Sequence, residues 1–295
     1  MKRRAYLAGR WYPAGARACS EAIEQHARDT AVESGAWRAL VAPHAGWTYS
    51  GDVAAQTYRW LAHNQPNVDR VVLFGSHRSA RGPNTIFRAD AWETPVGDFA
   101  TDHDAVAAIT NALPELLDDE PVTPSHPDNA AELHLPLARH FFPQAKLVML
   151  GVAAAPVAIV LGEAVGRVCA AQGGSTVVLG STDLTHYGAG YGFAPQGLSA
   201  RAVEWVRTVN DAGFIEAMLA RDEAAVLAHA EANSSACCPG AVAATLAAAR
   251  VLYAEDTAAS LAKPIEAVEP HLVAHRLSYD VAPNDDFVGY AGVLL

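Results

Sequence analysis

The 295-residue chain has little cysteine, four residues (Cys19, Cys169, Cys237 and Cys238), and less methionine, three. Four thiols in a chain of this length do not make a disulfide framework, and reduced thiols in a cytoplasmic protein are the expectation. Basic residues are outnumbered, 21 against 32 acidic, for a net charge of −11. That balance argues against a nucleic-acid or anionic-membrane surface. Long apolar runs are missing too. The most apolar stretch, Leu147 to Val168, is broken by Pro156, Glu163 and Arg167 and is no clean membrane span. No apolar segment follows the basic start at Lys2, Arg3 and Arg4, so a secretory signal is not expected. Repeats, low-complexity tracts and long linkers are also absent. Histidine is what the chain has in plenty, with twelve residues.

Short apolar runs alternate with longer helical patterns, which predicts one α/β domain over residues 1–295, with a central, mostly parallel sheet flanked by helices. Strands are expected at Ala39–Ala42, Arg70–Phe74, Lys146–Leu150 and Ser175–Leu179, with a last one from Phe287 to Leu295. Helices are expected over Gly15–Thr30, Asp52–Leu61, Asp102–Ala112, Ala130–Phe141, Pro156–Ala171, Leu198–Ala220, Asp222–Ala232 and Gly240–Leu252. Pro136 interrupts the pattern of the fourth. Pro239 suits the first turn of the last, so Cys237 and Cys238 fall at or just before its amino terminus. A thiol there is favoured as thiolate by the helix dipole and free backbone N–H groups.

Three strands run directly into polar, histidine-bearing loops. The first leads to His44, followed by Trp47 and Tyr49; the second to His77; the third to Asp183, His186 and Tyr187. In a parallel sheet the carboxyl ends share one edge, where ligands bind. His44, His77, Asp183 and His186 are therefore expected in one crevice. The other histidines, among them His26, His63, His103, His126, His140, His229, His271 and His275, show no partner pattern. Around Asp128, Glu132 and His134 a helix would begin at Asp128 or Ser125, with the two carboxylates on one face at i, i+4. That group would bind substrate or orient a ligand histidine; equally, it is a helix start with solvated acids.

Imidazole and thiolate donors suit zinc, copper or iron, whereas magnesium and calcium want oxygen. His44, His77 and one cysteine would leave a coordination position open, as catalytic metals require. Asp183 and His186, three residues apart, would form an acid/base pair.

At these residues a resemblance emerges. Ala42-Pro-His44-Ala-Gly46, Gly75-Ser-His77, Glu132-Leu-His134-Leu-Pro136, Ser181-Thr-Asp183-Leu-Thr-His186-Tyr-Gly188 and Gly289-Tyr-Ala-Gly292 occur in this order, after an early Gly9-Arg-Trp-Tyr-Pro13. They resemble the MEMO family, whose bacterial and archaeal members are called AmmeMemoRadiSam system protein B. The resemblance covers nearly the whole chain. It implies the fold of class III extradiol dioxygenases and a metal held by His44, His77 and Cys237. It places His186 where those dioxygenases keep their acid/base residue, with Asp183 beside it, and has Glu132 and His134 line the pocket. Three departures stand out: a cysteine replaces the dioxygenases' third, carboxylate ligand; Asn129 stands where the family often has histidine; and Cys238 stands where it usually has glycine. Either cysteine would then be the ligand, or the pair would be a redox dithiol.

The leading expectation is a metal-dependent redox enzyme using iron or copper, with a small organic substrate. One alternative is a non-catalytic module binding a peptide or small molecule between Trp47, Tyr49 and Tyr187. The other is a zinc hydrolase, zinc being the less expected metal. The resemblance further implies partners, the protein A and radical-SAM components of a three-part system.

Overall fold

Four apolar runs build the centre of the sheet. Ala39–Ala42, Thr176–Ser181, Arg70–Arg78 and Lys146–Ala153 lie side by side in that order, all parallel. Ala39–Ala42 and Thr176–Ser181 are buried along their whole length, as strands covered on both faces must be. Phe287–Leu294 adds to the first of these antiparallel and carries His271–Leu277 and His186–Tyr187, also antiparallel. At the other edge Thr85–Ile86 runs antiparallel to Lys146–Ala153, and Asp118–Asp119 pairs with it. The computed structural model describes residues 1–28, 34–124, 127–258 and 268–295. Asp29 and Thr30, expected in the first helix, and Ser125 and His126 lie outside the described residues. Within them the protein is a mixed α/β structure, parallel at its centre and antiparallel at its margins.

The first two central strands leave a gap that the last, Thr176–Ser181, fills. Connections diverge at that point, and the crevice outside the carboxyl ends is where such sheets bind ligands. His44, Asp183 and His77 follow or end the three strands concerned.

Helix Pro239–Ala258 packs across the four central strands, and Trp47–Asn64 packs on Ala39–Ala42 and Phe287–Leu294. Val157–Gln172 lies along Pro239–Ala258. Their backbones approach so closely that a Cβ on Gly162 would sit 2.3 Å from the Ala244 carbonyl oxygen. Glycine is required there because only hydrogen fits.

Several boundaries depart from expectation. The helix expected over Asp52–Leu61 runs Trp47–Asn64, because burial of Trp47, Ser50 and Gly51 overrides weak local propensity. Ala130–Phe141 is two helices, Asn129–Glu132 and Leu135–Phe141, with Pro136 in the first turn of the second. Leu198–Ala220 divides into Ala200–Trp205, a π turn over Val206–Asn210 and Asp211–Leu219. That wide turn has a use: Asn210 Nδ2 donates to Thr185 Oγ1 (2.9 Å), which donates to the buried Asp211 carboxylate (2.5 Å). The loop carrying Asp183 and His186 is tied down through its middle. Finally, Arg70–Phe74 extends to Arg78 and takes His77 with it. No helix among the described residues is long and apolar enough to cross a membrane.

Candidate metal centre

His77 is aimed by a strained residue. Ser76 has φ +75°, a conformation that serine adopts only when its surroundings enforce it. Asp128 does the enforcing. Its Oδ2 accepts from Ser76 Oγ (2.6 Å) and from the His77 backbone N–H (3.0 Å), and its Oδ1 from His77 Nδ1 (3.0 Å). Asp128 also caps Asn129–Glu132 by accepting from Ala130 N (2.9 Å). Asp128 therefore both starts a helix and orients the His77 ring, while Glu132 of the same group is buried and not solvated.

His44 lies buried two residues past the end of Ala39–Ala42, the next strand but one. Its Nδ1 hydrogen-bonds Ser181 Oγ (2.7 Å), and its backbone N–H donates to Asp183 Oδ1 (2.7 Å). Asn129 Nδ2 donates to the His44 carbonyl (3.0 Å), so this amide holds backbone. With both Nδ1 atoms committed to protein partners, the Nε2 atoms of His44 and His77 face each other at 3.2 Å. Cys237 Sγ completes the cluster, 3.3 Å from His44 Nε2. The thiol is fixed by the Thr182–Asp183 turn: Cys237 N donates to the Asp183 carbonyl (3.1 Å), and Asp183 N donates to Cys237 Sγ (3.3 Å).

The electrostatics favour an anionic sulfur. Burial alone would push the Cys237 thiol up, but a hydrogen bond from Cys238 and the imidazoles of His44 and His77 hold it well below the usual thiol range. Burial works to lower His77, yet Asp128 and Cys237 bring it up to about 10. His44 is raised against its own burial by Asp183 and Cys237. Asp183 is raised, by burial first. Two imidazole nitrogens and a sulfur converge here, one imidazole backed by a carboxylate; a soft or borderline metal ion suits such donors, and its binding would displace the protons they hold.

A cavity of about 610 Å³ opens over His44, His77, Asp183 and His186. Tyr49 lines it, as do Arg10, Trp11, Tyr191, Asp286 and Tyr290. The His186 ring lies 5.0 Å from that of Tyr191, and its Nε2 is buried without a hydrogen-bond partner. Asp183 serves His44 by hydrogen bond and shares none with His186 among the described residues.

Glu132, His134 and Trp47 lie behind the cavity and not on its wall. Glu132 is buried and accepts from Leu7 N (2.6 Å) and Tyr12 OH (3.0 Å). It thereby anchors the segment that supplies Arg10 and Trp11. Trp47 packs against Tyr12 with ring centroids 5.3 Å apart. The wall's tryptophan is Trp11, which no local pattern distinguishes from Trp47, although Trp11 belongs to the early Gly-Arg-Trp-Tyr-Pro segment. Tyr290, likewise, sits in the Gly289–Gly292 motif.

His134 is fully buried, with Nδ1 2.9 Å from Tyr58 OH and Nε2 unpartnered. Burial, aided by the neighbouring His44, pushes its pKa from 6.5 down to about 3. Between those values the unfolded chain binds the extra proton, so this residue's contribution to stability is present above pH 6.5 and is lost as pH falls toward 3. The expected loss is roughly 1.4 kcal/mol per pH unit within that window. Urea unfolding of His134→Gln is expected to show a flatter acid dependence than the wild type; equal slopes would contradict the assignment.

The fold and the cluster together define an α/β protein with a candidate two-histidine, one-cysteine metal centre at the sheet's carboxyl edge. The Memo-like protein family matches residues 3–294, and the chain belongs to that family. It is similar to a MEMO1 family protein of Pyrococcus furiosus, 29% identical over 100% of this chain and 99% of that protein. A MEMO1 family protein of Methanopyrus kandleri is 28% identical with the same coverage, and one of Methanococcoides burtonii 26% identical over 98% of each. The solved structure of an uncharacterized protein from Escherichia coli K12 covers 87% of this chain and 98% of its own at 12% identity, with a TM-score of 0.48.

Proposed function

We propose that the protein is a metal-dependent redox enzyme of the dioxygenase-like kind, with iron or copper held by His44, His77 and Cys237. The observation that carries this reading is the mutual approach of two Nε2 atoms and one sulfur, with both imidazoles on the wall of an open cavity and Cys237 on the wall of a second one. Iron or copper at these donors would supply dioxygen activation or one-electron chemistry. The chain's own residues supply the rest. Asp128 accepts from His77 Nδ1 and so leaves Nε2 as the atom that would bind the metal, while Ser181 Oγ engages His44 Nδ1 and Asp183 holds the His44 backbone. His186, on the cavity wall, is the imidazole placed to give or take the substrate proton. The Tyr49, Trp11 and Tyr191 rings wall a space suited to a small aromatic or phenolic molecule.

His186→Ala is expected to keep its metal and lose oxygen uptake with phenolic substrates by a factor of about 100 or more. Oxygen consumption and metal content are measured on the same sample. Undiminished turnover would remove His186 from the mechanism.

A second reading has its own support. Trp11, Tyr49 and Tyr191 are 38%, 41% and 50% exposed at the cavity mouth, and such aromatic surface serves peptide binding equally well. Saturable peptide binding that is insensitive to chelator, with no oxygen uptake, would favour a binding module.

A further inference from the structure

The reading above uses one thiol, yet two stand at the site. Cys238 Sγ lies 3.7 Å from Cys237 Sγ, and the donor atoms of His44, His77, Cys237 and Cys238 all fall within 4.8 Å of one another. Cys19 and Cys169 are also buried but join no such group among the described residues. Cys238 is no loose neighbour. Its backbone N–H donates to Thr182 Oγ1 (3.1 Å), so the turn that fixes Cys237 fixes it as well.

The separations can be compared with those a metal ion demands. With bonds of about 2.0 Å to nitrogen and about 2.3 Å to sulfur, a tetrahedral shell sets nitrogen to nitrogen at about 3.3 Å, nitrogen to sulfur at about 3.5 Å and sulfur to sulfur at about 3.8 Å. The structure has 3.2 Å between the imidazole nitrogens, 3.3 Å from His44 Nε2 to Cys237 Sγ, and 3.7 Å between the sulfurs. Three edges of the tetrahedron are already in place.

We propose that Cys238 is a fourth metal donor, which makes the site a two-histidine, two-cysteine shell for a thiophilic closed-shell cation, zinc(II) or copper(I), in preference to iron(II). The proposal rests on the metal-centre reading and narrows it. Two thiolates favour soft ions, and tetrahedral sites with two sulfur and two nitrogen donors are characteristic of zinc. On binding, the Cys238 S–H bond breaks, its proton goes to solvent and the sulfur lone pair turns to the cation. Within the redox reading this selects copper; a substrate reaching the ion must then displace Cys238 or add as a fifth donor.

The test uses cobalt(II) as a spectroscopic probe in anaerobic protein, because thiolate-to-cobalt charge-transfer absorption scales with the number of thiolates bound. Cys238→Ser is expected to retain cobalt with about half the wild-type intensity. Full intensity in Cys238→Ser would overturn the proposal while leaving the two-histidine, one-cysteine centre intact. A wild type that takes up no cobalt, zinc or copper would remove both. X-ray absorption on wild-type protein loaded with zinc or copper(I) needs no variant: two sulfur scatterers are expected, and one would overturn the assignment. Stoichiometric zinc(II) and copper(I) are expected to displace cobalt where equimolar iron(II) does not. Displacement by iron(II) alone would contradict the preference.

Discussion

His77→Ala is expected to bind iron, copper or zinc more than about 100-fold more weakly than wild type, since loss of a group merely supporting a metal ligand already costs about 10–100-fold. The residue is suited to this test because its side chain is 40% exposed. Its removal opens no core cavity, so a loss of affinity reports the site and not the fold. Asp128→Asn offers the graded comparison. The amide still accepts one hydrogen bond but loses the charge that backs His77 Nδ1, and a loss of about 10–100-fold is expected. Competition with a chelator of known affinity measures both. Equal affinity in His77→Ala and wild type would remove His77 from the ligand set.

The second large effect lies in the scaffold. A valine at position 162 would place its Cβ 2.3 Å from the Ala244 carbonyl oxygen and 2.8 Å from the Ala244 Cα. Both neighbours are helical backbone and cannot rotate away, so Val157–Gln172 and Pro239–Ala258 must part. Gly162→Val is therefore expected to lose about 3 kcal/mol or more, the upper range for overpacking, read as a lower urea midpoint. Pro239–Ala258 begins directly after Cys237 and Cys238, so metal affinity is expected to fall with stability. An unchanged midpoint would show that the helix pair has slack which the close packing does not reveal.

The difference between what the residue pattern disclosed and what it hid has physical causes. Ala39–Ala42 was legible to the residue because a strand covered on both faces is uniformly apolar. His271–Leu277 was not. It is half-exposed, and its pairing with Phe287–Leu294 shifts register between Leu272 and Ala274, so no alternation survives. His44, His77 and Cys237 were legible because strand ends and helix starts are places where a local pattern implies a shared location. Glu132 and His134 sit at the break between two short helices, where the chain turns inward; a helical reading through Pro136 leaves their direction undetermined. Arg10 and Trp11 reach the cavity through tertiary contacts alone, the hydrogen bonds from Leu7 and Tyr12 to Glu132.

The central claim is that His44, His77 and Cys237 hold a metal ion. It is tested most directly by elemental analysis of protein purified anaerobically, wild type beside Cys237→Ala. The account predicts close to one equivalent of a transition metal per wild-type chain, greatly reduced in the variant. Wild-type protein that is metal-free and fails to take up added iron, copper or zinc would contradict it.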